Sequence, residues 1–143
     1  MNLKLAVQKS GRLHEDSIQL LNDCGISVKN GHNHLRSVAD NFPLEVYFLR
    51  DDDIPQYVED GVADIGFVGE NVIFESKKQV EIVEQLGFGK CRLSFAVPKQ
   101  EDYRDEQFLQ GKKIATSYPV LVQKFLDDKN INAEIHVISG SVE

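Results

Sequence analysis

Apolar residues along this chain fall in two alternating rhythms, and each rhythm predicts an element. Leu3-Lys4-Leu5-Ala6-Val7 is a short apolar run and predicts a strand over residues 3–7. Leu13, Ile18, Leu20, Leu21 and Cys24 then recur at helical spacing, so residues 13–24 read as an amphipathic helix that Gly25 stops. Residues 28–38 are polar, with Asn30-Gly31 as a turn signal and a short strand expected over 35–39. Residues 44–49 alternate and predict a strand. Asp51-Asp52-Asp53-Ile54-Pro55 then starts a helix that runs to Asp60 and ends at Gly61, with Asp52 or Asp53 expected as its cap. Residues 63–68 are nearly all apolar and predict a buried strand. Gly69-Glu70-Asn71 opens a short helix that ends near Lys77.

Two more strands are expected over residues 80–86 and 92–97. Residues 98–111 are charged and looser, with one helical turn over 105–109. A strand over 113–115, a helix over 118–127 and a strand over 133–138 follow. Strand alternates with helix throughout, which predicts an α/β architecture with a mainly parallel sheet. A shift in polarity around residues 90–100 marks the crossing between two parts, 1–94 and 95–143.

Composition narrows the classes. A hydrophobic share of 41% and a charged share of 27% suit a globular chain of 143 residues. The net charge of −7 argues against nucleic acid as a partner. Any anion site must therefore be local, built from a few placed cations and backbone dipoles. No apolar run reaches the ~18 residues of a membrane span, and the N-terminus lacks a signal-peptide core. A cytoplasmic protein is expected. Cys24 and Cys91 fit no metal spacing and are expected to be small buried hydrophobes.

Four turns follow expected strand ends, the position at which open α/β sheets bind ligands. Lys9-Ser10-Gly11-Arg12 supplies two cations, a hydroxyl and a flexible backbone, a combination suited to phosphate. The bland reading is a solvated turn. Arg12 is the stronger candidate of the two cations, because a guanidinium grips phosphate with two parallel hydrogen bonds. Arg50-Asp51-Asp52-Asp53 places a cation among carboxylates whose bland role is helix capping. Gly66 and Gly69 flank a strand end but do not form G-x-G-x-x-G. Asp64 there orders its neighbouring loop. Thr116-Ser117-Tyr118-Pro119 starts a helix, with Thr116 or Ser117 as cap and Tyr118 as a ring that packs or meets a base. His14, His32, His34 and His136 form no ligand set or catalytic pair. No dedicated protein metal site is expected.

Taken together, three ordered stretches resemble ATP phosphoribosyltransferase, the first enzyme of histidine biosynthesis. They are Gln8-Lys9-Ser10-Gly11-Arg12-Leu13, Leu49-Arg50-Asp51-Asp52-Asp53-Ile54-Pro55, and Gly61-Val62-Ala63-Asp64-Ile65-Gly66-Phe67-Val68-Gly69-Glu70-Asn71. Thr116-Ser117-Tyr118-Pro119 and Gly140-Ser141-Val142-Glu143 match the same family, so the resemblance spans the whole chain. It implies a two-lobed fold like the type II periplasmic binding proteins, with both lobes incomplete, and an active site in the cleft. It implies transfer of phosphoribose from phosphoribosyl pyrophosphate to N1 of ATP, with Mg²⁺ carried by substrate phosphates.

Roles follow by position. The resemblance implies that Lys9 and Arg12, with Ser10 and Gly11, meet substrate phosphates. It implies that Arg50, beside Asp51, faces the reacting centre. Gly69, Glu70 and Asn71 would line the nucleotide side, and Tyr118 would contact the base. Arg12 and Arg50 are the expected catalytic residues. In this family a threonine/glycine-rich loop for the 5′-phosphate follows Gly-Ser-Val-Glu, and this chain ends at Glu143. The chain is thus expected to be a catalytic fragment, resembling most the long-form enzymes, that does not turn over alone. The full-length protein is expected to be a homo-oligomer. A non-catalytic small-molecule binding module and a flavodoxin-like nucleotide domain are the alternatives.

Overall fold

The computed structural model describes residues 1–29 and 34–140. The expected Asn30-Gly31 turn, His32 and the closing Ser141-Val142-Glu143 lie outside the described residues. The chain divides into two compact units, Met1–Cys91 and Arg92–Glu143.

In the first unit, β1 (Leu3–Gln8) leads through three residues, Lys9 to Gly11, into α1 (Arg12–Asp23). Next come β2 (Arg36–Val38), β3 (Leu44–Leu49), a 3-10 turn (Asp51–Asp53) and α2 (Ile54–Glu59). The unit closes with β4 (Ile65–Gly66) and α3 (Glu70–Ser76). The sheet has the order β2-β3-β1-β4. β1 runs parallel to β3 and to β4, whereas β2 is antiparallel to β3. Parallel neighbours require crossovers, and α1 with β2 and then α2 supply them. The alternation of β3 puts Leu44, Val46 and Phe48 into one core with Leu5 and Val7 of β1. Ile18 and Leu21 of α1 cover that face, each burial worth roughly 1.5–3 kcal/mol. The opposite face holds Ala6, Ile54 and Ala63, with Tyr57 and Val58 of α2 packed against them. Gly66 lets α2 approach, since a Cβ there would lie 2.5 Å from Cγ2 of Ile54. Its role is helix-on-sheet packing.

The second unit contains a 3-10 turn (Glu106–Leu109), β5 (Lys113–Thr116), α4 (Pro119–Asp128) and β6 (Glu134–Val137). β5 and β6 are parallel, and α4 makes the crossover. Leu109, Val122, Leu126 and Ile131 form its core. The 3-10 turn is capped by Asp105, whose Oδ1 accepts from the N–H of Gln107 at 3.0 Å.

Several expectations need correction. Residues 80–86 and 92–97 form no strand among the described residues. A strand exists only with a partner for its backbone groups, and these segments have no ladder, leaving Val83 and Leu93 exposed. The strand expected over 63–68 shrinks to Ile65–Gly66, because β1 ladders only those two residues. Neither Asp52 nor Asp53 caps α2 through its side chain; Asp51 Oδ1 instead accepts from the N–H of Asp52 at 2.9 Å. Cys24 and Cys91 are both exposed. Cys24 is the C-terminal cap of α1, where the stripe turns away from the sheet. The buried stripe of α1 is His14, Ser17, Ile18 and Leu21; Leu13 and Leu20 sit at its margins.

Candidate active site

Because β1, β3 and β4 run parallel, their carboxyl ends leave one edge of the sheet. The register pairs Gln8 with Leu49 and Ala6 with Gly66. Lys9 is therefore level with Arg50, and the chain leaving β4 toward Gly69 exits at the same edge. Two backbone bonds tie these exits together: the N–H of Lys9 donates to the carbonyl of Leu49 at 2.8 Å, and that of Phe67 to the carbonyl of Ala6 at 2.9 Å.

The first turn has the geometry its residues suggest. Gly11 takes φ 85°, a left-handed value that favours glycine, and occupies the N-cap position of α1 with no side-chain cap. Helix N–H groups without a side-chain cap favour an anion. Lys9, Ser10 and Arg12 are exposed around this point. Among the described residues, neither Lys9 nor Arg12 has an ion pair, so both charges face solvent unneutralised. In a chain of net charge −7 that is a local inversion of sign.

The second turn is more balanced. Arg50 Nε lies 3.6 Å from Asp52 Oδ1 in an exposed pair, a contact that contributes little in solvent. Asp51 is half-buried and holds the turn through its bond to the N–H of Asp52. At the third exit, Gly69 is the N-cap of α3, Glu70 is exposed and Asn71 is half-buried. A Cβ on Gly69 would lie 2.5 Å from Asn71 Oδ1, so the carboxamide folds back over the glycine. Asp64 orders the amino end of the sheet: its Oδ2 accepts from the N–H of Lys4 at 2.8 Å.

Lys9 to Arg12, Arg50, Asp51, Gly69, Glu70 and Asn71 thus belong to one sheet edge. Tyr118 belongs to the second unit, where it precedes α4 and its N–H donates to Thr116 Oγ1 at 2.9 Å. The cap expected from Thr116 or Ser117 does not form: Tyr118 holds the N-cap position of α4 with no side-chain cap, and the Thr116 bond stays within the turn before the helix. Among the described residues, no three or more His, Cys, Asp or Glu side chains form a group that could hold a metal ion. Of the three adjacent aspartates, Asp51 accepts from the N–H of Asp52 and Asp52 pairs with Arg50.

Sequence reasoning passed over His14. It is 4% exposed, and its Nδ1–H donates to the main-chain carbonyl of Gln8 at 2.8 Å. A signal was present, since His14, Ile18 and Leu21 are spaced i, i+4, i+7 on the apolar stripe.

Comparison with known proteins adds an independent line. The family profile described as "HisG: ATP phosphoribosyltransferase" matches residues 50–143. An ATP phosphoribosyltransferase of Cytophaga hutchinsonii is 60% identical over 141 residues, covering 99% of this chain and 49% of that protein. Those of Parabacteroides distasonis and Bacteroides thetaiotaomicron are 51% and 52% identical, each over 99% of this chain and 50% of the relative. This chain spans about half the length of the curated relatives it matches. Among solved structures, the ATP phosphoribosyl transferase (HisG:HisZ) complex from Thermotoga maritima aligns with a TM-score of 0.64 and 25% identity, covering 98% of this chain and 66% of that one.

Proposed function

The chain belongs to the ATP phosphoribosyltransferase family, and on that basis we propose that the protein carrying it joins ATP to phosphoribosyl pyrophosphate, forming N1-phosphoribosyl-ATP and pyrophosphate. The observation that carries the reading is the pair of unneutralised cations, Lys9 and Arg12, at the shared carboxyl edge of β1, β3 and β4. In this reaction the adenine N1 lone pair forms a bond to the anomeric carbon as the bond to the pyrophosphate oxygen breaks. The electron pair leaves with pyrophosphate. Such chemistry asks for alignment of two substrates and for cations where negative charge grows. Arg12 and Lys9 fit the phosphate-holding task, and Arg50 fits a place near the reacting carbon. Gly69, Glu70 and Asn71 fit the nucleotide side, and Tyr118 the base. Few titratable groups are required to act as acid or base.

Mg²⁺ belongs to the proposal as the ion that accompanies a polyphosphate substrate, which retains water and phosphate ligands. The two-lobed, type II periplasmic-binding-protein-like arrangement is the fold reading that goes with this function, with the two units as parts of its two lobes. Cytoplasmic residence and assembly into an oligomer complete the proposal. No helix among the described residues is long and apolar enough to cross a membrane, and the matched Thermotoga structure is of a complex.

The test is turnover by the full-length polypeptide supplied with ATP, phosphoribosyl pyrophosphate and Mg²⁺, read as N1-phosphoribosyl-ATP. Arg12→Ala is expected to lower kcat/KM by about a hundredfold, the scale of one lost electrostatic contact to developing charge. Unchanged kinetics would remove Arg12 from the site.

A further inference from the structure

We infer that His14 is a positioning residue for the Lys9–Arg12 anion turn, acting through the Gln8–Lys9 peptide. The inference rests on the reading of that turn as a phosphate site. Gln8 is the last residue of β1, and the peptide that follows it is held on both sides. Its carbonyl accepts from His14 Nδ1–H at 2.8 Å, and its N–H, belonging to Lys9, donates to the carbonyl of Leu49 at 2.8 Å. A peptide plane clamped at both polar ends has little freedom to rotate. The direction in which Lys9 leaves the sheet is therefore fixed by two bonds, one from β3 and one from a side chain of the helix that the turn begins.

The clamp is itself supported. The His14 ring is 4% exposed and lies tilted against Phe48, with centroids 5.6 Å apart, while Phe48 is 2% exposed on β3. At the other end of the turn, the carbonyl of Gly11 accepts from the N–H of Glu15 at 3.1 Å, so the first helical bond closes immediately after the left-handed glycine. Ser17, fully buried, donates its hydroxyl to the carbonyl of Leu13 at 2.6 Å and braces the same first turn. Strand exit, glycine and helix start are thus each held, and Lys9 and Arg12 project from the four-residue stretch between them. A polar ring on an otherwise apolar stripe is unfavourable unless it makes a bond worth keeping, because a buried nitrogen left unpaired is costly. Here one of its nitrogens is committed to the backbone atom that precedes the cations. Preorganised cations bind an anion without the cost of ordering a loop, so loss of the clamp weakens binding before it weakens chemistry.

The experiment compares Arg12→Ala, His14→Phe, His14→Asn and His14→Gln in the full-length polypeptide, with inorganic pyrophosphate and ATP as calorimetric probes and steady-state kinetics alongside. Asn places an amide N–H near the position of Nδ1, whereas Gln places its own near Nε2. His14→Phe is expected to weaken pyrophosphate binding on the order of tenfold, the effect of one lost hydrogen bond, with the loss appearing in KM rather than kcat. His14→Asn is expected to restore binding and His14→Gln not to. If the Phe variant does not fold, the Asn and Gln pair decides. Arg12→Ala weakening pyrophosphate while all three His14 variants bind like the parent would overturn the role of His14 and leave the site intact. Arg12→Ala leaving pyrophosphate binding unchanged would overturn the phosphate reading, and the inference with it.

Discussion

Arg12 and Lys9 differ in what they offer an anion. A guanidinium presents a planar fork of donors, whereas an ammonium is a compact point charge on a flexible stem. Arg12→Lys should therefore keep the charge but lose most of the affinity for pyrophosphate, which calorimetry on the two side chains would show. Gly11 matters for its backbone. At φ 85° a Cβ is strained by roughly 1–2 kcal/mol whatever the space around it, so Gly11→Ala should lower the unfolding free energy by that amount, read as an earlier denaturant midpoint. Gly66 matters for space. Its φ is ordinary, but a Cβ would meet Ile54 Cγ2 at 2.5 Å, and Gly66→Ala should cost about 1–3 kcal/mol by forcing α2 off the sheet. The sequence shows both positions as glycine and nothing more; the difference between a turn glycine and a packing glycine lies in what surrounds each.

Elements of the first unit are joined by polar contacts as well as by core. On the α2 face of the sheet, Glu45 of β3 is buried and accepts from Tyr47 Oη at 2.6 Å while pairing with Arg36 of β2. The Tyr47 hydroxyl first, and Arg36 after it, favour the carboxylate and hold the Glu45 pKa below its ordinary value. The same bond raises the Tyr47 pKa, since the phenol is needed as a donor. A carboxyl whose folded-state value is depressed contributes stability that is fully present above its unfolded value and is lost as pH falls through the folded one. Glu45→Gln should therefore flatten the acid limb of the stability curve, and unfolding midpoints measured across the carboxylate range would show it. An unchanged acid limb would place the titrating groups elsewhere. Helices and the central strands β1 and β3 were legible because their periodicity is local. The strands expected over 80–86 and 92–97 were not, since apolar alternation announces a capacity to pair while pairing itself requires another strand in register.

Each unit of the molecule has its own core. Leu126 is fully buried in the second unit among Leu109, Val122 and Ile131, so Leu126→Ala should destabilise that unit by about 2–5 kcal/mol, read as lost amide protection across β5, α4 and β6. The net charge of −7 gives the whole chain a field that repels polyanions. On the proposed function, affinity for pyrophosphate would come from close contacts at the sheet edge and not from this field.

The helices, the strands β1 and β3, the left-handed stop at Gly25, the phosphate-suited chemistry of Lys9-Ser10-Gly11-Arg12 and the family resemblance could be read from residue order. Each depends on neighbours a few positions apart, and so does the periodicity that reveals it. Folding decided the rest. It set Lys9 level with Arg50 through the Gln8–Leu49 register, left Lys9 and Arg12 without an ion pair among the described residues, and exposed both cysteines. It also turned His14 inward onto Gln8. These outcomes hang on contacts between residues far apart in the chain, or on which side of a helix meets a sheet. Only the packed structure specifies them.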